Sequence, residues 1–114
     1  PALADDVAQS FRAGTRVSIP TPATIADGLR TNCTGEKNLP LIRQYVDDIV
    51  TVSEAGIVAA MRELWDQLHL IVEPSAAVPY AALQENRFTF AGKNIGLILS
   101  GGNVDLESLP WLKR

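Results

Sequence analysis

KNIGLILSGGN, residues 93–103, joins a β-branched and Leu-rich run to a Ser-Gly-Gly-Asn tetrad. An apolar run this continuous does not show the in/out alternation of a half-solvated strand. It reads as a strand buried on both faces, the habit of a parallel sheet. In open α/β sheets ligands bind beyond the carboxyl ends of the strands. Ser100 would stand there with a hydroxyl able to donate or accept. Gly101 and Gly102 would let the backbone approach a flat or charged ligand. A plain strand-to-helix turn explains the same four residues, because Gly-Gly turns are common.

Working outward, the segments on either side alternate in type. Residues 105–112, DLESLPWL, read as a short terminal helix. Upstream, Pro74 sits well in the first turn of a helix over 75–86, SAAVPYAALQEN, whose small residues allow close approach to a neighbour. Residues 53–72 form the strongest helical pattern. Ile57, Met61, Leu64, Leu68 and Ile71 share one face, Ser53 is placed as N-cap, and Glu73-Pro74 ends the run. DIVTVS, residues 48–53, is β-branched and reads as a second strand. LPLIRQYVDD, residues 39–48, is a short amphipathic helix. TIADGLRTNCTGEKN, residues 24–38, carries a short turn of helix at most, and Pro20 and Pro22 break the connector before it. Leu3, Val7 and Phe11 give residues 3–13 one apolar helical face, stopped by Gly14. Helices alternating with strands predict an α/β fold with a helix-covered parallel sheet. Two strands alone leave both edges open, so the chain reads as part of a larger α/β unit.

Composition narrows the function. The 114 residues are 46% hydrophobic and 20% charged, which fits one globular unit and excludes collagen-like, coiled-coil and disordered chains. A net charge of -3 gives no electrostatic footprint for nucleic acid or an anionic membrane. No apolar run approaches the about 20 residues that span a bilayer. The single cysteine, Cys33, excludes an internal disulfide and suits a reducing compartment. With His69 as the only histidine, a zinc site or Cys/His dyad is disfavoured.

Four further features carry possible chemistry. Glu73 follows an apolar run at a helix start; it is either a first-turn acid favoured by the helix dipole or a site carboxylate. Asp5 and Asp6 with the Ala4 carbonyl offer oxygens suited to magnesium or calcium, or are simply placed well for a helix dipole. Asp27-Gly28 is by itself a turn signal. His69 falls near the end of the long helix, in a partly exposed position. No P-loop, G-x-G-x-x-G, H-E-x-x-H or Ser/His/Asp set is present. Lys37, Lys93 and Lys113 lie in polar loops or at the tail, without the apolar surroundings of a desolvated Schiff-base lysine.

Taken in order, PALADD (1–6), TIADGLR (24–30), LPLIRQYVDDIVTVSE (39–54), LIVEPSAAV (70–78) and KNIGLILSGGNVDL (93–106) resemble the C-terminal part of the serine/threonine dehydratase family. These are fold-type II pyridoxal-phosphate enzymes, among them serine racemases, catabolic threonine ammonia-lyases and hydroxyaspartate ammonia-lyases. The likeness runs from Pro1 to Trp111. It implies a two-domain α/β enzyme with the cofactor between its domains, residues 1–114 being a C-terminal portion of the large domain. It implies that Ser100 hydrogen-bonds the pyridine nitrogen, that Glu73 lies near the cofactor and that Gly28 lies by the ring. It further implies a cation site using the Ala4 carbonyl and Asp6. The third family ligand, a glutamate, would precede Pro1, which leaves a magnesium or calcium site incomplete here.

The family's catalytic lysine and its glycine-rich phosphate loop lie upstream of this stretch, so the resemblance places no catalytic residue in this chain and implies that the 114 residues alone are inactive. The expected parent is a cytoplasmic ammonia-lyase or racemase that acts on a β-hydroxy amino acid such as serine, threonine or 3-hydroxyaspartate. Its partners would be that small substrate, the N-terminal remainder of the same enzyme and further copies in a homo-oligomer, with no nucleic acid and no membrane. Animal serine racemases carry a lysine of their nucleotide-effector site near the position of His69, so activation by ATP is not implied. Two alternatives remain: a stand-alone, non-catalytic interaction module built on this fold, and a cysteine-synthase-like β-replacement enzyme, against which the IADG and VDDIVTVSE text argues.

Overall fold

The computed structural model describes residues 1–86 and 89–112. Four α-helices carry the architecture, α1 (Asp6–Ala13), α2 (Asn38–Tyr45), α3 (Glu54–Leu68) and α4 (Pro74–Glu85), with 3₁₀ turns at Asp27–Leu29 and Leu106–Ser108.

The centre is the α3–α4 pair. Ser53 caps α3 by accepting the Gly56 N–H at 2.9 Å. The same hydroxyl donates to Glu85 Oε1 at 2.6 Å, which ties the start of α3 to the end of α4 and makes the two helices antiparallel. Ile57, Ala60, Met61 and Leu64 of α3 bury against Ala76, Ala77 and Ala81 of α4, with Ala26, Val52 and Val72 filling the edges. Three alanines on the facing side let the two backbones approach closely. Tyr80 of α4 donates to Glu63 of α3 at 2.9 Å. Burial and that acceptor, with its negative charge, hold the Tyr80 phenol above its ordinary value of 10.0. α1 packs on α2, and Arg12 reaches the Ile49 carbonyl at 3.2 Å.

Several expectations need correction. The helix predicted over 3–13 begins only at Asp6; before it, Ala2 N–H donates to the Val52 carbonyl at 2.8 Å and Ala4 N–H to the Pro1 carbonyl at 3.0 Å in a turn. Its buried face is Asp6, Ala8 and Ser10, and Leu3 is exposed. The long helix ends at Leu68, not at Glu73. His69 adopts φ 55°, which turns the chain so that Leu70 N–H closes on the Leu64 carbonyl at 3.2 Å. Leu68 and Ile71 are consequently exposed. The terminal helix is reduced to the 3₁₀ turn Leu106–Ser108, capped by Asp105.

The two expected strands are not formed as sheet. Among the described residues the ladder contact is an isolated antiparallel bridge between Ser18 and Cys33. Residues 48–53 and 93–100 are irregular. A strand is defined by its neighbour, and the described part of the chain gives these segments none. The run expected to be buried on both faces is therefore open, with Ile98 81% exposed. The radius of gyration, 14.8 Å, exceeds the roughly 13 Å typical of a closed domain of this length, and the extents of 40 × 36 × 20 Å describe a flattened body. No helix among the described residues is long and apolar enough to cross a membrane.

Candidate functional site

The predicted cofactor-side residues converge on the N-terminal turn of α4. Glu73 is the extended N-cap residue of that helix (φ -73°, ψ 160°), and its carbonyl accepts the Ala76 and Ala77 N–H groups at 3.0 and 3.2 Å. Its N–H donates to the Gly101 carbonyl at 3.1 Å. Its carboxylate returns the contact: Oε2 accepts the Asn103 N–H at 3.0 Å. The carbon of that carboxylate lies 3.0 Å from where a side chain on Gly101 would begin.

At Gly102 the constraint is harder, because a Cβ there would stand 2.8 Å from the Ile71 carbonyl oxygen, a backbone atom. Neither glycine has positive φ. Gly102 is required by the close approach of the 71–73 backbone, and Gly101 leaves space for the Glu73 carboxylate; neither is required by a left-handed turn. Ser100, just before this clasp, is exposed, and its hydroxyl makes no hydrogen bond among the described residues.

Gly28 joins the same turn from the other side. Its N–H is shared by Asp27 Oδ1 at 2.9 Å and Ser75 Oγ at 3.0 Å. A Cβ on Gly28 would lie 2.9 Å from that Oγ. Ser75 is a site residue that the sequence reading passed over, although it stands inside the EPSA text. Glu54 is another: its Oε2 accepts the Ile25 N–H at 2.8 Å, which fixes the entry to the IADG turn, and its Oε1 is buried without a partner among the described residues. A carboxylate in the first turn of a strong helix looks like a dipole-favoured acid, and that reading hides its reach across 29 residues.

Ala4 and Asp6 lie elsewhere. Both line a cavity of about 190 Å³ with Pro1, Asp5, Thr31 and Thr51 among its walls. Asp6 is 1% exposed, and its carboxylate oxygens have Thr31 Oγ1 at 3.5 Å, the long limit of a hydrogen bond. Among the described residues no group of three or more His, Cys, Asp or Glu side chains is placed to hold a metal ion. Cys33 is a half-buried free thiol, and His69 is exposed at the end of α3. Lys37 and Lys93 are exposed, and Lys113 lies outside the described residues.

The IADG, EPSA and SGGN segments thus meet at the start of α4. The sequence profile described as "Pyridoxal-phosphate dependent enzyme" matches residues 1–101, and the chain belongs to that family. It is 44% identical over 113 residues to the β-hydroxyaspartate dehydratase of Paracoccus denitrificans (strain Pd 1222), covering 97% of this chain and 35% of the relative. It is 46% identical over 114 residues to the serine racemase of Arabidopsis thaliana, covering 96% of this chain and 34% of the relative. Among solved structures, maize serine racemase superposes with a TM-score of 0.87 at 42% identity, covering 98% of this chain and 35% of that one. These likenesses carry the fold-type II architecture, while strand pairing within the described residues is limited to the Ser18–Cys33 bridge. The chain thus spans about 35% of the length of the relatives it matches.

Proposed function

We propose that these 114 residues form the C-terminal portion of the large domain of a pyridoxal-phosphate enzyme that removes ammonia from, or racemises, a β-hydroxy amino acid. The observation that carries the reading is the convergence of Gly28, Glu73 and the 100–103 loop on the first turn of α4. The donor set suits the ring end of the cofactor. A pyridine nitrogen is an acceptor, and Ser100 offers an unengaged hydroxyl on a loop whose next two positions carry no side chain. The phosphate and the lysine that carries the cofactor would be held by parts of the enzyme outside these residues.

When bound, the cofactor supplies an electron sink for the α-carbon of the amino acid. The contribution of this chain is to tune and orient it. A neutral hydroxyl does not hold the ring nitrogen as a firm cation, as an aspartate would. The sink is then milder, which suits β-elimination and α-proton exchange over deeper carbanion chemistry. Gly28 lets its own turn close on Ser75 of α4, which holds the IADG segment beside the site. The parallel sheet would be completed by strands that pair with residues 48–53 and 93–100.

The Ala4 carbonyl and Asp6 are proposed as two ligands of a magnesium or calcium site. The near-unpartnered, buried Asp6 carboxylate supports this.

The test uses the full-length protein. It should bind pyridoxal phosphate with a shifted absorbance band and release ammonia from at least one of serine, threonine and 3-hydroxyaspartate, or racemise one. A protein that binds no pyridoxal phosphate and turns over none of the three would overturn the reading.

A further inference from the structure

We propose that Glu73 is a positioning residue, whose carboxylate fixes the backbone of residues 100–103, and so the direction of the Ser100 hydroxyl. The proposal rests on the reading of this site as a pyridoxal-phosphate wall, but the geometry behind it does not.

Two hydrogen bonds of opposite sense link Glu73 to the loop. Its N–H donates to Gly101 O at 3.1 Å and its Oε2 accepts from Asn103 N–H at 3.0 Å. They close a ring around the Gly101-Gly102 pair, which also packs against the Glu73 carboxylate and the Ile71 carbonyl. A Gly-Gly pair left alone is the most mobile pair of residues a chain can offer. Here it is pinned at both ends by one residue, and Ser100 is covalently next to the pinned peptide. The carboxylate's charge is compensated locally by the Asn103 N–H and the positive end of α4. That disposition matters for chemistry. A carboxylate placed at a pyridine nitrogen would favour the protonated ring, against the effect of a serine hydroxyl. Held on a backbone N–H, the charge organises the loop.

The experiment compares full-length protein with Glu73→Gln and Glu73→Ala. Glutamine keeps an acceptor oxygen at the same reach and removes the charge; alanine removes both. The first measurement is amide hydrogen exchange of Asn103, the loop N–H that the carboxylate accepts, in the apoenzyme. The expected result is protection retained in Glu73→Gln and reduced by about tenfold or more in Glu73→Ala. The second is the affinity for pyridoxal phosphate, titrated by absorbance, expected within about threefold of the parent for Glu73→Gln and weaker by about tenfold for Glu73→Ala. Exchange unchanged in Glu73→Ala would overturn the proposal. So would a Glu73→Gln affinity loss equal to that of Glu73→Ala, which would assign the effect to charge. If the unsubstituted protein binds no pyridoxal phosphate, the functional reading fails, and the exchange measurement still decides whether Glu73 holds the loop.

Discussion

A methyl group on Gly102 would stand 2.8 Å from the carbonyl oxygen of Ile71, and neither backbone can yield without opening the clasp between 71–73 and 101–103. Gly102→Ala should therefore destabilise the protein by about 1–3 kcal/mol, read from denaturant midpoints, and should weaken pyridoxal-phosphate binding in parallel. Equal stability of the variant would show that the approach is not tight. The requirement for two glycines was visible in the sequence, but its cause was not. Spacing suggested room for a ligand or a turn; the observed neighbours are the Glu73 carboxylate at Gly101 and the Ile71 carbonyl at Gly102. Glu73 was visible as an acid in an unusual place, but its partner, the Asn103 N–H, could not be read, because a contact across 30 residues leaves no local pattern. Ser75 and Glu54 were missed for the same reason.

Elements were legible where one helix carried its own signals. Ser53 as cap, Pro74 at the start of α4 and Gly14 past the end of α1 all stand where the sequence puts them. The end of α3 was not legible, since a histidine in the left-handed region carries no such signature. The strands were not borne out as pairs, because β-branched text specifies an extended chain and not a neighbour. The α3–α4 contact makes its own prediction. Tyr80 titrates above its ordinary value because of burial and then Glu63, so the neutral phenol is the form the fold favours. Its contribution to stability is complete below pH 10.0 and is lost as pH rises through the raised folded value. Glu63→Gln should bring the Tyr80 titration down, followed by NMR of labelled tyrosine rings. A titration unmoved by that substitution would leave burial as the whole cause.

The whole molecule is a flattened layer with one helix pair at its centre and apolar residues left open beside it. Ile95, Leu97 and Ile98 on one segment and Leu68, Leu70 and Ile71 on another are exposed. Exposed apolar runs of this kind suit an interface, and the reading of the chain as one wall of a larger enzyme supplies the reason. Made as a separate 114-residue chain, it should bind apolar dyes and sediment as self-associated species, and within the full-length protein the same residues should be protected from exchange. A well-behaved folded monomer with no dye binding would instead favour the stand-alone module. The family was legible at this scale because the motif order spans the entire chain; the expected sheet was not, because its strands need neighbours that the described residues do not supply.

The central claim is that Ser100 faces the ring nitrogen of the cofactor, and NMR of full-length protein loaded with pyridoxal phosphate labelled at that nitrogen tests it most directly. The account predicts a hydrogen-bonded, unprotonated nitrogen in the parent, a resonance shift when Ser100→Ala removes the donor, and a shift to the protonated form in Ser100→Asp. A resonance unchanged by both substitutions would contradict it.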